Sequence, residues 1–120
     1  MTTDFLELEG KTILVMGVAN RKSIAYKIGT TLETAGAEVL YAVRTEQRRQ
    51  QLLSILPEDS IYVCDVESPD QVQDLAHTVG ARHPVLHGLV HSIAFADYEG
   101  EAKPFHETGK TQFLRAVDIS

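Results

Sequence analysis

Apolar residues fall along this chain in two alternating patterns, short continuous runs and repeats spaced by four. Residues 12–16 form a run of strand length, and Gly17 follows it at once. Ile24, Ile28 and Leu32 then recur four apart, which predicts a helix beginning near residue 21. Three further strands are predicted at residues 38–43, 61–64 and 87–91.

The segments that follow these strands carry helix signals. One helix is predicted over residues 45–56. Ser68, with Pro69 at the first helical position, begins the next helix, and Gly36 and Gly80 stand where glycines end the first and third helices. A last helix is predicted from about residue 108 to residue 120. Strands that alternate with helices pair in parallel through right-handed crossovers. The pattern therefore predicts an α/β fold, a Rossmann-like doubly wound parallel sheet truncated after about four strands.

Composition narrows the class of protein. Of 120 residues, 43% are hydrophobic, as in a folded globular domain, and 17 acidic residues against 11 basic ones give a net charge of −6. That charge argues against nucleic acid as a partner. Cys64 is the single cysteine, so no internal disulfide can form and a cytoplasmic location is predicted. No apolar run reaches the roughly 18 residues that cross a bilayer, so no membrane association is predicted.

The turn after the first strand is the first candidate for chemistry. A buried strand, a glycine turn and a helix N-terminus present backbone N–H groups to a dinucleotide pyrophosphate. Gly17 places no Cβ in the way, and Ser23 is expected to donate its hydroxyl to a phosphate oxygen. Arg21 and Ser23 replace the later glycines of the usual Gly-x-x-x-Gly-x-Gly pattern, so an ordinary parallel α/β domain stays an alternative. Gly17→Val is expected to abolish cofactor binding with little loss of folding.

The carboxyl ends of parallel strands gather at one edge of a sheet, where ligands bind. Arg44 follows the second strand, which suits an adenosine ribose, its 2′-phosphate or the adenine ring. No carboxylate stands at that strand end to repel a 2′-phosphate, so NADPH is possible as well as NADH. Arg48 and Arg49 either extend a basic patch or form a solvent-exposed helix face. Asp65 either accepts a hydrogen bond from adenine or simply precedes a helix.

The segment after the fourth strand is the most specific. His91-Ser-Ile-Ala-Phe-Ala96, with residues 17–25, 64–66 and 118–120, resembles the bacterial enoyl-acyl-carrier-protein reductases. The resemblance spans nearly the whole chain. It implies a short-chain-dehydrogenase Rossmann fold and NAD(P)H-dependent reduction of an enoyl double bond carried on acyl-carrier protein, in type II fatty-acid synthesis. A homotetrameric parent protein is expected by the same resemblance.

The resemblance also implies roles for individual residues, seven at the cofactor and one at the acyl substrate. The positions are Gly17, Ser23 and Ile24 on the pyrophosphate side, Arg44 near the adenosine ribose, Asp65 and Val66 at the adenine, Ile93 on the nicotinamide side, and Ala96 in the acyl pocket.

The family's catalytic pair is not found in this chain. The resemblance implies a tyrosine that donates to the enolate and a lysine seven residues later that holds the nicotinamide ribose. None of the four tyrosines here has a lysine four or seven residues on, so no catalytic residue is assigned. We interpret residues 1–120 as the N-terminal portion of a single dinucleotide-binding domain whose remainder is absent. The chain alone is expected to be inactive, with an open apolar edge at the fourth strand and an unpartnered last helix.

Other functions stay open at this level. A non-catalytic dinucleotide-binding module stays an alternative, against which we set the expected further strands and the uncapped last helix. Another Rossmann enzyme, such as a nucleotide-sugar epimerase, is separated from the reductases only by residues 91–96. A phospho-acceptor receiver domain is disfavoured, because no acidic cluster follows the first strand. His83, His87 and His91 are spaced by four, but Pro84 and Gly88 interrupt any helix there, and no metal site is predicted. Cys64 is predicted to be inert core packing.

Overall fold

A computed structural model describes residues 4–98, 100–101 and 103–120. The described residues form one four-stranded parallel sheet in the order β3-β2-β1-β4. Its strands are β1 (Thr12–Met16), β2 (Glu38–Val43), β3 (Ile61–Val63) and β4 (Gly88–His91). The helices are α1 (Ile24–Thr34), α2 (Glu46–Leu52), α3 (Pro69–Arg82) and α4 (Lys110–Ile119), with 3-10 turns at Glu58–Ser60 and Phe105–Glu107. The predicted doubly wound α/β fold is confirmed.

Both faces of the sheet are covered, because successive strand residues point to opposite sides. Ile13 and Val15 belong to a core shared with Ala25 of α1 and Leu52 of α2. On the opposite face, a second core is built from alternate residues of the same strands and from α3; its members are Leu14, Met16, Leu40, Ala42, Cys64, Leu75 and Val79. Burial on both faces explains why β1 and β2 are continuous apolar runs.

The first helix begins later than predicted, at Ile24. Asn20 holds the preceding residues in a turn: its side-chain Oδ1 accepts from the Lys22 N–H at 2.8 Å, and its carbonyl accepts from the Ser23 N–H at 3.1 Å. Ser23 is therefore the extended N-cap residue and lies outside the first helical turn. At the other end the prediction is confirmed: Gly36 has φ +101°, and its N–H and that of Ala37 close a Schellman motif on Glu33 and Leu32.

Two other helix ends differ from the prediction. Helix α2 ends at Leu52, four residues early, and turns follow it, in which the Leu53 N–H donates to the Gln50 carbonyl and the Ile55 N–H to the Leu52 carbonyl. Helix α3 runs through Gly80 to Arg82. Gly80 has no left-handed backbone, whereas His83, the residue before Pro84, is extended at φ −130° and ends the helix.

Among the apolar side chains that are exposed in the described structure, two groups lie where the sequence led us to expect them, on β4 and on α4. β4 lies at the sheet edge, and Leu89 on it is 56% exposed, as the sequence led us to expect. On α4, Phe113, Leu114 and Val117 are all more than half exposed. Ile24, the first residue of α1, is 74% exposed, whereas Ile28 and Leu32, which share its spacing, pack against the core. Within the described ranges, no helix has the length and apolarity that a bilayer crossing requires.

Gly29 lets α1 lie directly on β2. A Cβ built on Gly29 would lie 2.5 Å from Cε1 and 2.8 Å from Cζ of the fully buried Tyr41. The Tyr41 hydroxyl donates to Glu33 Oε1 at 3.0 Å, so the ring is fixed at both ends. Burial and this hydrogen bond raise the pKa of Tyr41 far above its usual range, and its phenol stays protonated.

Gly17 joins the ends of β1 and β4. Its φ is +108°, and a Cβ there would collide with the carbonyl oxygen of Ser92 and lie 2.6 Å from the carbonyl carbon. The Ser92 N–H donates to the Met16 carbonyl at 3.0 Å, so the two backbones are held at this separation. The expectation that Gly17→Val leaves folding nearly unchanged is wrong, because the added side chain would part the two strand ends.

We predict that Gly29→Ala destabilises the protein, although alanine is the better helix former. The new methyl group would press on the Tyr41 ring, and overpacking of this kind costs about 1–3 kcal/mol. The matched control is Gly80→Ala, where a Cβ meets nothing within 4 Å. That variant should gain about 1 kcal/mol of helix propensity. Urea unfolding measures both; equal gains would show that α1 simply moves away from β2.

Gly17→Ala should lower the free energy of unfolding by about 3 kcal/mol, from backbone strain and the collision with Ser92. Gly10→Ala is the control: Gly10 also has a positive φ, +74°, but a Cβ there meets nothing within 4 Å. It should therefore cost only the left-handed backbone penalty of about 1 kcal/mol. Similar losses in the two variants would contradict a special role for the Gly17–Ser92 contact.

Candidate functional site

Two adjoining cavities lie at the carboxyl ends of the strands. The first, of about 270 Å³, is lined by five of the predicted cofactor residues: Gly17, Arg44, Asp65, Val66 and Ile93. The second, of about 530 Å³, lies at the N-terminus of α1 and is lined by Ser23 and Ile24 together with Gly17 and Ile93. The structure thus brings all seven predicted cofactor residues to one edge, with Gly17 and Ile93 shared by both cavities.

The N-terminus of α1 presents free backbone donors to the second cavity. The first N–H groups of a helix have no partner inside the helix. Within the described residues, the Ser23 side chain makes no capping hydrogen bond to them. Its hydroxyl instead donates to the Asn20 carbonyl at 2.6 Å and accepts from the Ala19 N–H at 3.3 Å. Ser23 therefore stabilises the turn, and donation to a phosphate would require its hydroxyl to exchange partners.

Arg44 stands at the end of β2 with its side chain 54% exposed. β2 itself ends without a carboxylate, but the loop after β3 brings two to this side chain. Asp65 Oδ2 lies 3.7 Å from Arg44 Nε, and Glu67 Oε2 lies 3.7 Å from Arg44 Nη2. A 2′-phosphate at Arg44 would therefore approach two acidic side chains, which β2 alone did not indicate.

The loop after β3 is fixed by its own hydrogen bonds. The Asp65 N–H donates to Gln71 Oε1 at 2.8 Å, and Asp65 Oδ1 accepts from the Glu67 N–H at 3.0 Å. Val66 packs against the core on the α3 side of the sheet, and Ile93 does so from the loop after β4. Asp65 consequently shapes the loop as well as lining the cavity.

Arg115 of α4 ties this loop to the segment after β4. Its Nε and Nη2 donate to the two carboxylate oxygens of Glu67 at 2.8 and 3.1 Å, and its Nη1 donates to Asp97 Oδ2 at 2.8 Å. The guanidinium carbon lies 4.7 Å from the centre of the Phe95 ring, and that of Arg44 lies 5.5 Å from it. The hydrogen bond from Arg115 lowers the pKa of Glu67, which keeps this carboxylate ionised.

The interpretation of Arg48 and Arg49 as a solvated helix face is wrong. Arg48 lines the first cavity and its Nη1 donates to the Ala19 carbonyl at 3.2 Å. Arg49 Nε donates to the Ile61 carbonyl at 3.1 Å, and the Arg49 side chain is only 19% exposed. Arg48 therefore braces the turn after β1, and Arg49 fastens α2 to the start of β3.

Ala96 is not part of the cofactor edge. It lines a separate cavity of about 360 Å³ between the loop after β4 and α4, with Tyr98, Phe105 and Phe113 among its walls. This cavity is partly apolar, as an acyl pocket would be. The predicted substrate position and the predicted cofactor positions therefore line different cavities, with Phe95 between Ile93 and Ala96 in the chain.

The remaining candidate side chains are structural. Cys64 is buried in the core on the α3 side of the sheet, so the prediction of core packing is confirmed, and burial raises the pKa of its thiol. His87 Nδ1 accepts a hydrogen bond from the Thr12 N–H at 2.9 Å, which joins β4 to β1. In the part of the chain that the structure describes, no group of three or more histidines, cysteines and acidic residues is arranged to hold a metal.

Glu67 and Arg115 are the site residues that sequence reasoning missed. They lie 48 positions apart, and neither belongs to a recognisable motif. The available signal was a single arginine in the otherwise apolar segment 113–117 of the last predicted helix. A charged residue there indicates a partner, but the sequence does not say which one.

Comparison with known proteins identifies the family. Residues 17–120 match the family model described as enoyl-(acyl carrier protein) reductase. The chain is 38% identical over 120 residues to the enoyl-acyl-carrier-protein reductase (NADPH) FabI of Staphylococcus aureus, covering 96% of this chain and 47% of that protein. It is 37% identical to the enoyl-acyl-carrier-protein reductase (NADH) FabI of Enterococcus faecalis, covering 94% and 46%. The chain thus spans about half the length of these curated relatives.

Solved structures agree with the sequence match. The enoyl-acyl-carrier-protein reductase (NADH) of Aquifex aeolicus superposes with a TM-score of 0.85 at 31% identity, over 93% of this chain and 49% of that one. The reductase of Anaplasma phagocytophilum, solved in complex with NAD, gives a TM-score of 0.81 at 29% identity, over 93% and 44%. Since the family model matches residues 17–120 and solved reductases share the fold, this chain belongs to the enoyl-acyl-carrier-protein reductase family.

Proposed function

We propose that this chain carries the cofactor-binding half of an NAD(P)H-dependent enoyl-acyl-carrier-protein reductase. The parent protein would reduce the enoyl double bond of a substrate carried on acyl-carrier protein, in type II fatty-acid synthesis. The observation that carries this proposal is the gathering of all seven predicted cofactor residues around two cavities that share Gly17 and Ile93. The family match argues against the epimerase alternative, which shares the fold but not residues 91–96.

Several features at the carboxyl edge of the sheet fit a dinucleotide. Uncapped N–H groups at the start of α1 and the missing Cβ of Gly17 favour a pyrophosphate over this turn. Arg44 is half exposed and would face the adenosine ribose, with Asp65 and Val66 beside the adenine. Ile93 would pack against the nicotinamide from the loop after β4. When bound, the nicotinamide would supply the hydride that the reduction requires.

The proton donor is proposed to lie outside these residues. Tyr41 is excluded as a donor because it is fully buried and hydrogen-bonded to Glu33, and its raised pKa opposes ionisation. Tyr26, Tyr62 and Tyr98 have no lysine four or seven residues on. We therefore place the tyrosine and lysine of the family in the second half of the parent chain, with residues 1–120 as the first part of the same domain.

The cavity that Ala96 lines is the proposed substrate site. Ala96 would line the acyl pocket, which fits the partly apolar cavity between the loop after β4 and α4. The enoyl thioester would reach the cofactor past Phe95. A homotetrameric parent and a cytoplasmic location stay predictions of the sequence.

Because the proton donor is placed outside residues 1–120, the parent protein and the 120-residue chain are predicted to differ in activity. The full-length parent should oxidise NADH or NADPH in the presence of a crotonyl thioester, measured by the loss of reduced-nicotinamide absorbance. Residues 1–120 alone should show no turnover, because no candidate for the tyrosine–lysine pair is present. Turnover by the purified 120-residue chain would contradict the placement of the proton donor, and no turnover by the parent would contradict the proposed reaction.

Arg44→Ala tests the adenosine side of the site in the full-length protein. A charge-assisted hydrogen bond is worth roughly 1.5–3 kcal/mol. If Arg44 binds a 2′-phosphate, NADPH affinity should therefore fall about ten- to a hundredfold, while NADH affinity falls much less. Fluorescence titration of both cofactors measures this. Arg82→Ala is the control, because Arg82 binds Asp59 and Tyr62 near the amino end of β3. Equal losses for both cofactors would indicate stacking on adenine, and no loss would place Arg44 outside the site.

A further inference from the structure

The charged side chains at the cofactor edge form one chain of alternating sign. From the substrate side to the adenosine side, its members are Asp97, Arg115, Glu67, Arg44 and Asp65. Three carboxylates face two guanidiniums, so these five side chains carry one negative charge in excess. Their relative positions come from three separate segments, the end of β2, the loop after β3, and the loop after β4 with α4.

Glu67 is shared unequally between the two arginines. Arg115 binds both of its carboxylate oxygens in a two-bond fork at 2.8 and 3.1 Å. Arg44 reaches only Oε2, at 3.7 Å, which is an ion pair beyond hydrogen-bond distance. A forked arginine–carboxylate pair is the stronger and more directional contact. Arg115 therefore decides where the Glu67 carboxylate lies.

Arg44 is consequently left with weak partners in this structure. Its other carboxylate, Asp65, also stands at 3.7 Å. The ring of Phe95 lies beside both guanidiniums, at 5.5 Å from Arg44 and 4.7 Å from Arg115, and this cation–π contact keeps both of them near it. Arg44 is thus held in place while its hydrogen-bond donors stay available to an incoming anion.

We propose that Arg115 is a positioning residue for the nucleotide, which holds Glu67 away from Arg44 so that Arg44 can bind a phosphate on the adenosine ribose. The ligand class is a nucleotide with a ribose 2′-phosphate in addition to its 5′-phosphate. Without Arg115, the Glu67 carboxylate would close on Arg44 and compete with that phosphate. The proposal rests on the proposed function only in taking Arg44 to face the adenosine ribose.

Calorimetric titration of the full-length protein tests this without turnover. The probes are adenosine 2′,5′-bisphosphate and 5′-AMP, which differ only in the 2′-phosphate. Arg115→Gln should weaken bisphosphate binding about fivefold, the size of a partly exposed ion-pair effect, and leave 5′-AMP binding nearly unchanged. Arg82→Gln, which removes a distant guanidinium, should change neither affinity.

A double-mutant cycle separates positioning from a general structural role. Glu67→Gln should change bisphosphate binding little while Arg115 is present, because Arg115 already keeps this carboxylate from closing on Arg44. In that background, Arg115→Gln should have no further effect on the ratio of the two affinities. Glu67 and Arg115 are 26% and 36% exposed, so the variants are expected to fold. If Arg115→Gln does not fold, Arg115→Lys replaces it in the same cycle, because lysine keeps the charge but cannot form the two-bond fork with Glu67.

Two results would overturn the proposal. They are an equal loss for both nucleotides in Arg115→Gln, and the same loss whether or not Glu67 is present. In each case 5′-AMP still binds and the proposed function stands. If the wild-type protein binds neither nucleotide, the proposed function and this proposal fall together.

Discussion

The close approach of two backbones at Gly17 underlies the rest of the site. The Ser92 N–H is bonded to the Met16 carbonyl, and the Ser92 carbonyl occupies the space that a Cβ of Gly17 would need. This contact joins the ends of β1 and β4 at the point where the strand order reverses, which is where ligands bind in doubly wound sheets. The first and second cavities both adjoin Gly17. The absence of a side chain at Gly17 therefore permits the strand ends to pair and leaves room for a ligand.

The charged side chains at the carboxyl edge of the sheet come from distant parts of the chain. The protein carries a net charge of −6, yet Arg44, Arg48 and Arg115 all converge near the first cavity or its walls. Arg48 is hydrogen-bonded to a backbone carbonyl and Arg115 to two carboxylates, whereas the carboxylate contacts of Arg44 are ion pairs at 3.7 Å. The two short bonds of Arg115 to Glu67 contrast with the longer pairs of Arg44. Arg115 is therefore held by short hydrogen bonds, whereas the hydrogen-bond donors of the neighbouring Arg44 stay available to a ligand.

The cavities at the strand ends and the cavity lined by Ala96 are separate in space, but Arg115 links their walls. Arg115 binds Glu67 in the loop after β3 and Asp97 in the loop after β4. Ser120 at the end of α4 exchanges hydrogen bonds with the backbone of Phe95, which fixes the same loop from another direction. Helix α4 thus orders the loop after β4, which lies between the first cavity and the cavity lined by Ala96. Its apolar residues Phe113, Leu114 and Val117 stay exposed.

The sequence by itself determined the strands, the sheet class, the Schellman end of α1 and the positions along the carboxyl edge. These follow from local hydrophobic periodicity and turn chemistry, which act between neighbours in the chain. It did not determine that Asn20 delays α1, that Gly29 receives the Tyr41 ring, or that Gly17 faces Ser92. The sequence also did not show which residues pair with Arg44 and Arg115. Only the tertiary structure decided these, because each depends on which residues distant in sequence the crossovers bring within a few ångströms.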